Sequence, residues 1–362
     1  MSRAQETGAQ RRGFTLVELL LAVGLLSILI LALLRLVDTS LTIWGRTDEN
    51  RELLEMGGTV LDLLAEDLHA IEGGPRGDLV ADWALFDLDR NGIAGAPRQR
   101  LRFVRNVSAQ ELQRVSRPSA AGEHGPETFE RGLAEVCWAL LPGGEGPDER
   151  ALGVLCRGER EPGDKETLSF LDPNFFGPTG KPVPGSLHEL TGGVLWLELL
   201  FAGQTSVVHD GWKLGDGLDA CAASWDAWKK ARPNPEVHVF NLPGAGMPAA
   251  KDVPLLPRRV RIELELERTQ DLRLRTRLAT ELAADASLFE VKDGRKLPPR
   301  GEMILIDEEW LKLSSVDGNR VSVERGQRGT RAVVHPPGAL IHHGWRMVRD
   351  IPLPMTREDW DL

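Results

Sequence analysis

The apolar residues of this chain fall into three successive patterns, and each predicts a different element. From Phe14 to Leu34 they run almost without interruption, broken near the start by one carboxylate, Glu18. Coiled as an α-helix, that run rises about 31 Å at roughly 1.5 Å per residue, enough to cross a hydrocarbon core. Further on, Leu54, Leu61, Leu64, Leu68 and Ile71 recur at threes, fours and sevens, so the helix is predicted to continue with one buried stripe. The Gly57-Gly58 pair is a candidate bend, and Gly73-Gly74-Pro75 is a stop.

From about Leu79 the period shortens to two, punctuated by Gly, Pro and Asp, as expected of short strands. Candidates are 101–107, 135–141, 153–156, 194–201 and 258–267. In the last, Val260, Ile262, Leu264 and Leu266 alternate with Arg261, Glu263, Glu265 and Glu267, giving one buried face and one wet face. Residues 286–344 read as a compact all-β unit, with a hairpin turn over Val316-Asp317-Gly318-Asn319-Arg320-Val321. Residues 345–353 then read as one more strand.

Charge fixes the orientation of the first element. Arg3, Arg11 and Arg12 precede the apolar run, so the positive-inside rule puts the N-terminus in the cytoplasm and everything after Arg35 outside. A secretory signal peptide would have a shorter apolar region and a small-residue cleavage site, and Ala32-Leu33-Leu34-Arg35-Leu36-Val37 offers no convincing one. An uncleaved signal anchor accounts for hydrophobicity and topology. It does not account for Glu18, since a carboxylate inside a membrane segment costs at least a few kcal/mol and is retained for a reason.

The stretch Arg11-Arg12-Gly13-Phe14-Thr15-Leu16-Val17-Glu18 resembles the prepilin signature of type IV pilins and type II secretion pseudopilins. The resemblance implies that a membrane peptidase cuts between Gly13 and Phe14, that Phe14 is then N-methylated, and that Glu18 pairs with the N-terminal amine of a neighbouring subunit. Such a pairing is physically sensible, because opposite charges attract strongly at low effective dielectric. Leu61-Asp62-Leu63-Leu64-Ala65-Glu66-Asp67-Leu68 is similar to a helix end in J-type and W-type minor pilins. Leu255-Leu256-Pro257-Arg258 with the alternating residues from Val260 to Leu266 resembles a strand of the J-type minor pseudopilins.

The implied fold is α+β and pilin-like: a long N-terminal transmembrane helix packed on an antiparallel β-sheet head, with an inserted small all-β module. The corresponding division is a leader 1–13, a transmembrane helix 14–37, its continuation 38–74, a β-rich head 75–285, the all-β module 286–344, and a final strand and tail 345–362. The implied function is that of a structural minor pseudopilin, J-like, assembling at the tip of a type II secretion pseudopilus. The implied location is the inner membrane, single-pass, with a periplasmic head, and the pseudopilus after assembly. Its implied partners are other pseudopilins or pilins, the prepilin peptidase and the membrane. Two alternatives stand beside this reading: a minor pilin of a type IV pilus acting in adhesion or DNA uptake, and a membrane-anchored binding protein with an uncleaved anchor.

Composition narrows the head. The formal charge is −10, and residues 1–13 carry Arg3, Arg11 and Arg12 against Glu6, so the remainder is near −12 (−10 minus +2). An acidic domain lacks the clustered cations that release counterions from phosphate, so no nucleic-acid partner is expected. Cys137, Cys156 and Cys221 are too few for a disulfide scaffold. Cys137 and Cys156 flank a Gly/Pro-rich turn and are a candidate bridge; the other reading is a pair of small buried hydrophobes. Asp87, Asp89 and Asn91, followed by Gly92, match the first half of an EF-hand loop and are candidate calcium ligands, but position twelve is Arg98 instead of Glu. A tight turn is the alternative. Otherwise no cofactor is expected.

No catalysis is expected either. Ser206, His209 and Asp210 are near in sequence, which is not how triads are built, and no G-x-S-x-G elbow is present. Finally, Arg325-Gly326-Gln327-Arg328-Gly329-Thr330, followed by Ala332, His335 and Gly338, resembles a small module of phage tail and tail-like proteins. The two readings are a surface binding module and an insertion that braces the fold.

Overall fold

The computed structural model describes residues 16–84, 97–107, 132–144, 151–161, 164, 168–177, 180–202, 221–228, 254, 256–268 and 275–354. The chain divides into two units, 1–54 and 55–362. One helix, α1 (Leu16–His69), contributes to both. In the first unit its side chains from Leu16 to Val37 are exposed wherever they are described.

The second unit is mostly β. Its strands in the first sheet are β1 (Leu79–Ala84), β2 (Arg98–Asn106), β3 (Leu133–Pro142), β4 (Gly153–Arg160), β5 (His188–Ala202), β6 (Cys221–Ala222), β7 (Trp225–Asp226), β8 (Arg259–Leu266) and, from the end of the chain, β14 (Trp345–Pro352). Among the described residues they form a nine-stranded antiparallel sheet in the order β14-β8-β5-β4-β3-β2-β1-β7, with β6 on β5. Because β6 pairs with β5 while β7 pairs with β1, the segment 221–226 bridges two strands that are distant in the sheet order. The sheet therefore curls back on itself at this end. The buried Gln99 amide ties the curl, donating to the carbonyls of Leu199 and Ala223 at 3.0 and 2.7 Å.

Period-two alternation decides the faces. On β8, Val260, Ile262, Leu264 and Leu266 are fully buried, whereas Arg261 and Glu263 are only partly so. The last turns of α1 lie on the sheet, with Leu64 and Leu68 wholly buried. Gly57 sits where a Cβ would come within 1.9 Å of Met347 Cε and 3.1 Å of Leu266 Cδ1. The helix runs on through the Gly57-Gly58 pair, and the missing side chain at 57 lets it approach β8 and β14 closely.

Among the described residues, a second, five-stranded antiparallel sheet contains β9 (Leu288–Glu290), β10 (Met303–Ile306), β11 (Glu309–Asp317), β12 (Arg320–Gln327) and β13 (Ile341–His342), in the order β13-β10-β11-β12-β9. Its strands read both ways. Ile304, Ile306, Leu311 and Leu313 fill its own core, while Leu305 and Trp310 turn the other way and join Trp83, Trp196 and Leu200 of the large sheet. After it, β14 returns to the edge of the large sheet beside β8. The described structure is thus one N-terminal apolar helix and a large antiparallel β domain, more heavily β than the α+β expectation.

Candidate functional site

The N-terminal part of α1 is the first candidate. Residues Leu19–Val37 form a 19-residue span of mean hydropathy 2.8, none of it buried in the protein. A helix that is apolar all round needs a nonpolar environment on every side. Burial of a large aliphatic side chain contributes about 1.5–3 kcal/mol, so leaving this span in water forfeits on the order of tens of kcal/mol. Ser27, one of its few polar residues, donates its hydroxyl to the Val23 carbonyl at 2.8 Å, so that group is satisfied within the helix. Glu18 lies on α1. Gly13 and Phe14 lie outside the described residues.

The second candidate is the clasp that fastens α1 to the sheet. Asp67 is 1% exposed and accepts two bonds from Arg157 of β4, at 2.7 and 2.8 Å. It also accepts from the indole N–H of Trp138 at 2.9 Å, and Arg105 of β2 lies 3.7 Å away. For the Arg157 guanidinium, burial works against the charge, but Asp67 and Glu159 outweigh it and hold the proton above the ordinary range. The sequence pattern assigns Asp67 no role, although it falls on the stripe between Leu64, Leu68 and Ile71. A carboxylate on an apolar stripe was the available signal. A second pair, Arg349 of β14 with Asp62, joins the same helix to the sheet edge.

The late glycine-rich motif turns inward. Arg325 grips both oxygens of Glu309 at 2.6 and 2.7 Å and donates to the carbonyls of Ala283, Ala286 and Val333. Gly326 has φ +62°, which a side chain disfavours, and this turns its N–H onto Glu309 at 3.1 Å. The Thr330 hydroxyl accepts the Trp310 amide and donates to Gln327. His335 is fully buried between Asp307 and Glu309. These side chains brace the second sheet from within, so the motif is spent on its architecture and the bracing reading is the one the contacts support.

Of the two readings of Cys137 and Cys156, the contacts support the pair of small buried hydrophobes. Cys137, Cys156 and Cys221 are free and buried. Cys137 and Cys156 do occupy adjacent strands, but Cys137 stands opposite Gly158 and Cys156 opposite Ala139, so the two are offset by two positions and do not bridge. Burial pushes the Cys137 thiol up to about 12 and the Cys156 thiol up to about 11, which keeps both protonated and unreactive. Asp87, Asp89 and Asn91 lie outside the described residues, as do Ser206, His209 and Asp210. Among the described residues, no three His, Cys, Asp or Glu side chains are grouped to hold a metal ion.

Comparison with known proteins bears on the first candidate. The model of the prokaryotic N-terminal methylation motif matches residues 8–34, which include Gly13, Phe14 and Glu18. The motif indicates a type IV pilin-like substrate of prepilin peptidase, with the N-terminal helix as its candidate membrane anchor. No curated protein matches the chain.

Proposed function

We propose that this protein is a structural minor pseudopilin, J-like, of a type II secretion system, and that it has no catalytic activity of its own. The observation that carries the reading is the methylation motif set directly before an apolar helix that the protein itself leaves uncovered. The size of the β domain that follows supports a minor component, since a large head on every subunit would crowd a filament packed through its helices. In the proposed sequence of events, the peptidase hydrolyses the peptide bond between Gly13 and Phe14, and the Phe14 amine is methylated. The span then leaves the bilayer to pack among neighbouring helices, with Glu18 setting register against a partner's N-terminal amine. No cofactor enters this scheme.

The head is acidic, which favours the secretion role over a DNA-uptake pilus. The test is expression of the full chain with a candidate partner set of pseudopilins and the peptidase. The expected outcome is a product shortened by the leader that co-purifies with the partners through its head. A Gly13→Leu variant should stay at precursor size. Normal processing of that variant would remove the prepilin reading, and processing without partner binding would remove the tip-complex reading alone.

A further inference from the structure

Three carboxylates follow one another at the turn from β10 to β11, and each meets a cation. Glu309 is held by Arg325 of β12 and takes the amides of Gly326 and Val333, both at 3.1 Å. Glu308 acts on the fully buried Arg98 of β2, and both line a small cavity between the two sheets together with Asp307, Leu195, Trp196 and Leu305. Asp307 Oδ2 lies 2.6 Å from His335 Nδ1, and the other ring nitrogen, Nε2, lies 2.9 Å from Glu309 Oε2. An ionised carboxylate only accepts, so both ring nitrogens must donate, which a neutral imidazole cannot do. The charges agree. Among these six side chains, Arg98, Arg325 and a doubly protonated His335 balance Asp307, Glu308 and Glu309, whereas a neutral His335 leaves one negative charge in excess.

We propose that this cluster is a proton-dependent latch that holds the second sheet together from within, closed while His335 carries both ring protons and loosened when it loses one. The groups facing His335 are Asp307 from the turn, Glu309 from β11 and, behind Glu309, Arg325 from β12. The segment at Leu282 contributes only its backbone, exchanging two bonds of 3.0 Å with His335. Burial by itself would lower the imidazole's affinity for its proton, but the bonds to Asp307 and Glu309 outweigh it and raise the value above the ordinary 6.5. For a group whose folded value is raised, the stabilisation is complete below the ordinary value and is lost as pH rises towards the folded one.

The experiment is hydrogen exchange of the full chain in detergent micelles across this pH window, read in β10 to β12 relative to β3 and β4 and corrected for intrinsic exchange. The opening constant of β10 to β12 is expected to rise about tenfold per pH unit above roughly pH 6.5 and then level off. In His335→Gln the slope should vanish. In Asp307→Asn, whose side chain is partly exposed, the curve should level off at lower pH. A flat profile in the unaltered protein, or an unchanged slope in His335→Gln, overturns the latch. Should His335→Gln fail to fold, an unmoved plateau in Asp307→Asn overturns it equally.

Discussion

Asp67 shows what a single side chain does in this protein. Its two oxygens take both ends of a bidentate guanidinium and an indole N–H, so the charge is buried only because every partner is in place. Removing it leaves Arg157 and Trp138 with unmatched donors. Asp67→Ala is therefore expected to destabilise the β domain by about 3–5 kcal/mol, the range for breaking a buried ion pair from one side. Chemical denaturation followed by tryptophan fluorescence measures this, and a loss below about 1 kcal/mol would show that the pair contributes no more than an exposed one. Similar logic explains Glu309. Burial alone would raise its carboxyl, but Arg325, His335 and the Val333 amide bring it down to about 2. Neither role could be read from composition, because each depends on donors distant in sequence. Asp67 was at least visible as a carboxylate on an apolar stripe, whereas His335 was visible only as a member of a motif whose readings were a binding surface or a brace.

At the scale of elements, the docking of α1 turns on the absence of a side chain. Gly57 lets the helix come down onto Met347 and Leu266. Gly57→Val is expected to cost roughly 1–3 kcal/mol through overpacking and the poorer fit of a β-branched residue. Because the nearest obstacle is the flexible end of Met347, adding Met347→Ala should recover part of the loss. Thermal melts of the single and double variants decide it; a double variant no better than the sum of the two single changes would exclude this contact as the cause. The strands themselves were well marked in the sequence. The candidates at 101–107, 135–141, 153–156, 194–201 and 258–267 fall within or largely over β2, β3, β4, β5 and β8, since alternation survives wherever one face is buried and the other is not. The short strands β6 and β7 carried too few residues for a period to register.

For the β domain as a whole, the decisive contact is between sheets. Trp310 of the second sheet meets Trp196 of the large one edge to face, with centroids 5.8 Å apart, and the Arg328 guanidinium lies 4.0 Å over one ring and 4.6 Å over the other. Arg328 also pairs with Glu265, and His342 of β13 bonds Glu267 at the end of β8. Trp310→Ala should cost about 3–5 kcal/mol and should uncouple the two sheets, seen as a broadened or split calorimetric transition. A single transition at the unaltered midpoint would mean the sheets are joined by other contacts.

The sequence by itself determined the apolar N-terminal helix, its processing motif and most of the long strands, because each rests on local composition or a short period along the chain. It also exposed Glu18, whose cost in an apolar run is visible without any fold. Tertiary structure alone decided the order of the strands, the curl closed by residues 221–226, the two-sided packing of the second sheet and the return of β14 to β8. It also decided that Cys137 and Cys156 stay apart and that His335 sits between two carboxylates. The physical reason is the same throughout: periodicity records which face of an element is buried, whereas pairing, register and charge balance depend on which other element arrives to bury it.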